Sequence, residues 1–171
     1  MSDPDGNLVV RLMREADREA VIGLLWQLTR YEAALDWGHA PFVGDRDVSY
    51  EGAVATFEDD RERAATQGGA LVVAERRGAV VGFLCWFPQR SGPYVQAGVR
   101  EEGYVADLVV AEGRRGQGIG QRLLAEAERR TRAKGARRMT IFALQGNDVA
   151  RAAYERFGFK PHALELMKAL D

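Results

Sequence analysis

Residues 109–120 read VVAEGRRGQGIG, a stretch in which an apolar strand end runs into a turn with four glycines and then into a helix. Glycine reaches backbone conformations that other residues avoid, and it lets a ligand approach the main chain closely. Free N–H groups and the positive end of the helix dipole attract anions to a helix N-terminus. Arg114 and Arg115 add charged hydrogen-bond donors. The stretch therefore predicts a site for a phosphate or pyrophosphate group.

Two common phosphate-binding motifs do not fit this turn. No Gly-Lys-Ser/Thr follows, as a P-loop would require. The spacing of Gly116, Gly118 and Gly120 differs from the dinucleotide pattern G-x-G-x-x-G, and no acidic residue closes a second strand about 20 residues further on. A glycine-rich turn without any ligand remains the structural alternative. A phosphate-binding protein of another fold is a functional alternative that these failed matches disfavour.

Periodicity on both sides of the turn predicts an α/β chain with a mixed sheet. Residues 79–87 are apolar on both faces, which is typical of a central strand covered on both sides. The strand–helix–strand order over residues 103–144 predicts a right-handed parallel crossover. We expect strands at 8–12, 70–75, 79–87, 103–110, 138–144 and 163–169, helices at 17–35, 49–66, 119–135 and 147–157, and loops at 36–47 and 88–101.

Composition excludes several classes of protein. The 171 residues, 46% of them apolar, predict a single domain over residues 1–171. The single cysteine, Cys85, excludes a disulfide framework, and we expect it to be buried and inert. His39 and His162 are too far apart to suggest a metal site. No run is long enough to span a membrane, the start MSDPDGN is unlike a signal peptide, and the net charge of −1 disfavours bulk binding to nucleic acid. We therefore expect a cytoplasmic protein without a membrane or nucleic-acid partner.

The small net charge hides a division along the chain. Residues 1–60 carry 13 acids and 5 bases, a net of −8, whereas residues 61–171 carry 12 acids and 19 bases, a net of +7. Residues 113–138 contain nine bases and two acids, so the whole positive surplus lies on the glycine-rich turn and the helix after it. Part of this surplus is an ordinary solvated helix face. The remaining division of charge is what we expect if the basic part of the chain binds a polyanionic ligand and the acidic part binds a cationic partner.

Two blocks of the sequence resemble the GNAT superfamily of acyl-CoA-dependent N-acetyltransferases. Residues 115–120, RGQGIG, match the family signature R/Q-x-x-G-x-G/A, and residues 147–159, NDVARAAYERFGF, are similar to its second conserved block. The resemblance covers about residues 70–170. It implies an α/β (mixed α+β) fold with a sheet of about six to seven strands flanked by helices. It also implies a splayed central strand pair that holds acyl-CoA, and dimerisation is common in the family.

The resemblance implies a role for particular residues. Acetyl-CoA would lie between the strand that ends at Val110 and the next strand. Tyr154 would be the general acid that protonates the departing thiolate. Asn147 would cap its helix and contact the cofactor, a position in which a purely structural role is also available. A main-chain N–H near Val109 or Val110 would stabilise the oxyanion. Main-chain groups of Leu108, Val109 and Val110 would hold the acetyl-pantetheine arm, and those of Arg115, Gly116, Gln117, Gly118, Ile119 and Gly120 the pyrophosphate.

The general base is less clear from the sequence. Polyamine-type relatives often have Glu-Asp where this chain has Ala106-Asp107, so a glutamate is missing. The candidates are Asp107, Glu102 and Glu101, with a water chain as the alternative. We expect Tyr104 on the strand face opposite Asp107.

The acceptor would face aromatic and acidic side chains, a combination that suits a cationic amine. This wall would come from the helix 17–35 and the loops 36–47 and 88–101, which hold Trp26, Tyr31, Glu32, Trp37, His39, Asp45 and Asp47. The implied function is acetyl transfer from acetyl-CoA to a primary amine of a small-molecule or peptide acceptor, by direct attack and without a metal. The alternative is a catalytically degenerate module of the same fold that binds acyl-CoA as a sensor.

Overall fold

The computed structural model describes residues 8–35, 46–168 and 170. Within these ranges the chain forms five strands and four α-helices. Their bounds are β1 Leu8–Leu12, α1 Arg18–Ala33, α2 Tyr50–Gln67, β2 Ala70–Arg76, β3 Ala79–Arg90, β4 Glu101–Val110, α3 Ile119–Ala133, β5 Met139–Ile141 and α4 Asp148–Phe157. Single turns of 3₁₀ helix precede α1 at Glu15–Asp17 and β4 at Ala97–Val99.

The strands form one mixed sheet in the order β1-β2-β3-β4-β5. Neighbours up to β4 are antiparallel, and β5 runs parallel to β4 after the crossover through α3. Each face of the sheet is covered. Val72, Leu84 and Trp86 pack with α3 on one face, and Val73, Phe83 and Phe87 pack with α1 and α2 on the other. The mixed sheet and the central position of β3 are therefore confirmed.

The parallel pairing of β4 with β5 is short. Only Gly103–Val105 pair with Met139–Ile141, and β4 then continues to Val110 against β3 alone. A strand edge that loses its neighbour leaves N–H and C=O groups free for another partner. The predicted splay of the central strand pair is confirmed, and it opens beside residues 106–110.

A β-bulge in β4 lies where the splay begins. Trp86 of β3 lies opposite Val105 and Cys85 lies opposite Asp107, so Ala106 is an extra residue. A bulge reverses the alternation of side chains beyond it. Tyr104 and Ala106 pack on the α1–α2 face, as does Val109 after the bulge. Asp107, two residues before Val109, therefore shares a face with Tyr104, and the expectation that they lie on opposite faces is wrong.

The sheet has five strands in the described residues, fewer than the six to seven expected. Residues 163–168 form no strand, because they have no neighbouring strand to complete a ladder, and Leu164 and Leu166 are exposed. β5 is shorter than residues 138–144 because β4 diverges from it. A second bulge, between β2 and β3, places Val81 with α3 and Val80 with α1–α2, the reverse of simple alternation.

Candidate active site

The glycine-rich turn adopts the open conformation that an anion site needs. Gly113, Gly116 and Gly118 have φ of +77°, +77° and +76°, and a Cβ at any of them would meet no atom within 4 Å. Gly118 is the N-cap of α3, and the N–H of Arg122 donates to the Gly118 carbonyl at 3.1 Å. The N–H groups of residues 119–121 are therefore the unpaired donors found in the first turn of any helix. The turn can receive an anion through its main chain.

Side chains of the turn hold it against its neighbours. The Arg115 guanidinium lies 4.3 Å above the centre of the Tyr31 ring of α1, and its Nε is 3.4 Å from the Val110 carbonyl oxygen. The Gln117 amide oxygen accepts from Arg76 at 2.5 Å, and its Nε2 donates to Gly113 at 3.4 Å. The predicted cofactor residues Arg115 and Gln117 thus brace the loop through their side chains and leave its backbone for a ligand.

The positive surplus of residues 113–138 separates into two parts. On α3, Glu126 pairs with Arg129 at 2.7 Å and with Arg130 at 2.8 Å, and Glu128 pairs with Arg132. Pairs of this kind are the solvated face of an ordinary helix. The other part is Arg114 and Arg115 in the turn itself, where Arg114 lines a cavity of about 450 Å³ together with Arg76, Arg77 and Gln117. This second part is the one placed to attract an anion.

The end of β4 supplies the wall of the opening. Leu108, Val109 and Val110 pair with β3 on one edge, and no strand among the described residues pairs with their other edge. Gly120 and Ile119 lie directly behind this strand end. A Cβ on Gly120 would come 3.8 Å from the Val110 side chain, and Ile119 is buried in the core. The predicted pantetheine and pyrophosphate residues therefore form one continuous surface.

Tyr154 lies on α4 and is partly buried against the α3 face of the core. Its ring meets Phe159 edge-on, with 6.1 Å between the ring centres. Burial raises the pKa of Tyr154 above its usual value, and the negative charges of Glu32 and Asp107 add to the rise. The phenol therefore keeps its proton at neutral pH. Tyr154, Glu32 and Asp107 come from α4, α1 and β4, and the fold brings them within electrostatic reach of one another.

Asn147 is buried at the start of α4 and caps the helix. Its side-chain oxygen accepts from the N–H of Ala150 at 3.1 Å. Such a cap satisfies a donor that the helix cannot satisfy itself. The capping role predicted for Asn147 is confirmed, and its contact with a cofactor stays a prediction.

Asp107 has a partner that sequence reasoning missed, Asp60 of α2. Cys85, which lies opposite Asp107 in the sheet, has its sulfur 3.7 Å from the Asp60 carbonyl oxygen, so the fold brings the two carboxyl groups within electrostatic reach of each other, and Asp60 is only 1% exposed. Burial raises the pKa of both groups above the ordinary value, and the Asp107 charge contributes to the rise at Asp60. The signal was present in the sequence, because Asp60 falls on the buried stripe of α2 with Ala53, Phe57 and Ala64. A carboxylate on an apolar stripe needs a partner.

The other base candidates are engaged elsewhere. Glu102 is buried at the start of β4, where it accepts from Gln89 at 2.8 Å and from Arg138 at 3.2 Å. Glu101 is exposed and lies 3.5 Å from Arg90. Both precede the paired part of β4 and β5, whereas Asp107 follows it. Among the three carboxylates considered, the structure brings Asp107 alone to the opening.

The expected acceptor wall is only partly assembled from the described residues. Tyr31 and Glu32 lie at the site, and Glu32 forms an ion pair with Arg46 at 2.7 Å. Burial raises the pKa of Glu32, while the charge of Arg46 opposes the rise. Trp26 and Asp47 instead hold the start of α2, through bonds of 2.9 Å to Val48 and Ser49. Trp37, His39 and Asp45 lie outside the described residues.

Cys85 is fully buried on β3, as expected, and its sulfur lies 3.7 Å from the Asp60 carbonyl oxygen. Burial raises the pKa of the thiol, so no reactive thiolate forms at neutral pH.

Of the helices that the structure describes, none has the length and apolar character that crossing a membrane requires.

Comparison with known proteins places this geometry in a family. The Acetyltransferase (GNAT) family model matches residues 29–159. No curated protein sequence matches the chain. Solved structures do match, and three are typical of them.

An aminoglycoside N-acetyltransferase solved in complex with CoA is 19% identical with a TM-score of 0.70, and the match covers 99% of each chain. An acetyltransferase from Trypanosoma brucei is 22% identical with a TM-score of 0.65, over 96% of this chain and 100% of that one. Glucosamine-6-phosphate N-acetyltransferase from Arabidopsis thaliana is 18% identical with a TM-score of 0.63, over 96% and 99%. The TM-scores show that these proteins share the fold of this chain. With the family match over most of its length, the chain belongs to the GNAT acetyltransferase family.

Proposed function

We propose that this protein transfers an acetyl group from acetyl-CoA to a primary amine of a small molecule or peptide. One observation carries the proposal. The splayed edge of β4, the anion-binding turn and three ionisable side chains, Glu32, Asp107 and Tyr154, meet at one opening. The structural neighbour solved with CoA supports acetyl-CoA as the acyl donor.

The turn and the strand edge would bind the donor. Main-chain N–H groups from Arg115 to Gly120 bind the pyrophosphate, assisted by the dipole of α3. The free edge of Leu108–Val110 pairs with the pantetheine arm as a strand would. This arrangement leaves the thioester near Asp107, at the point where β4 and β5 part.

The chemistry is then direct acyl transfer. Asp107 accepts a proton from the acceptor ammonium, and the neutral amine attacks the thioester carbonyl. A main-chain N–H near Val109 or Val110 stabilises the oxyanion. The carbon–nitrogen bond forms, the carbon–sulfur bond breaks, and the thiolate takes the proton of Tyr154. The tyrosinate then recovers a proton from the new amide nitrogen, so the phenol is regenerated.

Acceptor binding also tunes the general acid. The pKa of Tyr154 is raised in part by the negative charges of Glu32 and Asp107. A cationic amine beside these carboxylates neutralises them, so the phenol becomes a better acid when substrate is present. The same carboxylates that attract the amine therefore help to couple its binding to proton donation.

A second function has one observation in its favour. Ala106 replaces the glutamate that polyamine-type relatives often carry, so the protein could bind acyl-CoA as a sensor without turning it over.

A homodimer, a cytoplasmic location and the absence of a metal, membrane or nucleic-acid partner complete the primary proposal. The exposed Leu164, Leu166 and Leu170 support a second copy as partner, and light scattering tests that state.

Thiol release with acetyl-CoA and a panel of amines separates the two functions. The panel includes an aminoglycoside and glucosamine-6-phosphate, the acceptors named for two neighbours. Release with any amine establishes the transferase. Binding of acetyl-CoA without release from any amine favours the sensor.

The donor site is tested with a matched pair of variants. Gly118 and Gly135 both have φ of +76° and open surroundings, but they lie at opposite ends of α3. Gly118→Asp places a carboxylate among the phosphates and is expected to weaken acetyl-CoA binding at least about ten-fold, since one lost charged hydrogen bond costs about 1.5–3 kcal/mol. Gly135→Asp carries the same backbone cost without that repulsion. Calorimetry showing equal affinity in both variants would place the phosphates elsewhere.

A further inference from the structure

The carboxyl pair of Asp60 and Asp107 lies behind the opening and has no role in binding the donor. Two adjacent carboxyl groups can hydrogen-bond only if one of them carries a proton. Asp60 is buried, and its Oδ2 has no hydrogen-bond partner. Asp107 is only partly buried, at the point where β4 leaves β5. Asp107 is therefore the member of the pair that faces the opening, with Asp60 behind it.

The bulge at Ala106 creates this pair. Regular alternation would turn Asp107 to the face covered by α3, away from α2. The extra residue turns it to the α1–α2 face instead, where Asp60 occupies the buried stripe of α2. Bulges that re-aim a side chain are common beside active sites.

Two arginines near the pair, Arg63 and Arg46, also contact other groups. Arg63 lies over the Phe87 ring, with its guanidinium carbon 4.7 Å from the ring centre, and it forms an ion pair with Asp59 at 3.5 Å. Arg46 pairs with Glu32. The titratable and charged groups around the pair come from every adjacent element: Glu32 of α1, Arg46 of the segment before α2, Asp59 and Arg63 of α2, Cys85 of β3, Tyr104 of β4 and Tyr154 of α4.

We propose that Asp60 is a positioning residue that holds one proton jointly with Asp107, and that this pair accepts the proton which the acceptor ammonium loses. The proposal rests on the acetyltransferase function proposed above. Before the transfer both carboxylates are ionised, a state whose population grows as the pH rises toward about 8. Afterwards the two carboxyl groups share one proton. The amine nitrogen keeps the electron pair that attacks the thioester.

Pairing solves a chemical problem for an aspartate base. A single exposed aspartate has a pKa near 4 and is a poor acceptor for a proton from an ammonium group. Two ionised carboxylates in a dry site repel each other, and the shared proton relieves that repulsion. Burial raises the pKa of Asp60 to about 8, in keeping with a pair that binds its shared proton tightly. Because the two groups interact, the pair titrates as a unit.

The test compares pH profiles of kcat/KM with one amine acceptor for wild type, Asp60→Asn, Asp107→Asn and Glu62→Gln. Glu62 is exposed on the same helix and serves as the control for loss of one carboxylate. Asp107→Asn should lose about 10²–10⁴-fold at every pH, the usual contribution of a general base. Asp60→Asn should bind acetyl-CoA normally while its rising limb moves at least about one unit toward lower pH, because Asp107 no longer faces a second negative charge. Glu62→Gln should follow wild type.

A rising limb in Asp60→Asn that coincides with wild type would overturn the proposal, even if overall activity fell. Carbon-13 NMR of the aspartate carboxyls in wild type gives an independent readout that needs no variant and no turnover. A coupled titration of two carboxyls well above pH 4 supports the pair, and separate titrations near pH 4 overturn it. Absence of turnover in wild type with every amine, alongside a coupled titration, would refute the transferase function and the base role but retain the carboxyl pair.

Discussion

Replacing Asp60 with asparagine should change how the stability of the protein depends on pH. The pKa of Asp60 is raised from 3.8 to about 8 in the folded protein, because the side chain is buried beside Asp107. A group whose folded pKa is raised stabilises the fold below its unfolded pKa. That contribution is lost as the pH rises toward the folded value. Between about pH 4 and pH 8 the folded protein holds a proton that the unfolded chain has released.

The magnitude follows from that one proton. The free energy of unfolding of wild type should fall by about 1.4 kcal/mol per pH unit over this window, relative to a variant that cannot titrate there. Asparagine has the shape of a protonated aspartate and can also donate to Asp107. From pH 5 to pH 7 the stability of Asp60→Asn should therefore gain about 2.7 kcal/mol on wild type. For a chain of 171 residues this corresponds to about 5–10 °C in Tm.

Urea denaturation followed by tryptophan fluorescence at pH 5, 6 and 7 measures this difference. Other groups titrate in both proteins, so the difference between their curves isolates the buried pair. The exposed Glu62→Gln variant should run parallel to wild type. Parallel curves for Asp60→Asn and wild type would refute the reasoning, because they would mean that Asp60 is ionised in the folded protein at pH 5.

Three further substitutions test other parts of the structure. Tyr154→Phe should lower kcat about 10²–10⁴-fold and leave the Kd for acetyl-CoA unchanged by calorimetry; an unchanged kcat would remove the phenol from the acid role. Asn147→Ala should cost about 1 kcal/mol in urea denaturation, because α4 loses its cap, and an unchanged midpoint would contradict that role. Gly103→Ala should cost about 1–3 kcal/mol, because a Cβ would overlap Thr131 Oγ1 and break its buried 3.0 Å bond to Trp86; wild-type stability would show that α3 can shift to make room.

Much of the fold was predictable because its determinants are local. The spacing of apolar residues along α1 and α3, and the apolar faces of β3, indicate elements whose type does not depend on distant contacts. The glycines of the turn at residues 113–120 predict a helix N-terminus with an open main chain, and three of them have the positive φ that favours glycine. Asn147 is a cap in any helix that begins there.

The predictions that were wrong depend on contacts between distant parts of the chain. Residues 163–168 have the composition of a strand, but a strand exists only where a neighbour completes its ladder. Tyr104 and Asp107 were assigned to opposite faces because alternation was assumed to be unbroken. The bulge at Ala106 depends on how β4 pairs with β3, and no local pattern in the sequence predicts it.

The sequence by itself determined the order and type of the elements up to α4, the open glycine-rich turn and the family signature, since each depends on residues close together in the chain. The tertiary structure alone decided which carboxylate faces the opening and what stands behind it. Asp60 and Asp107 are 47 positions apart in the chain. They meet because α2 packs on the sheet at the point where an extra residue turns β4. Proton sharing depends on burial and distance between side chains, and these are properties of the packed molecule.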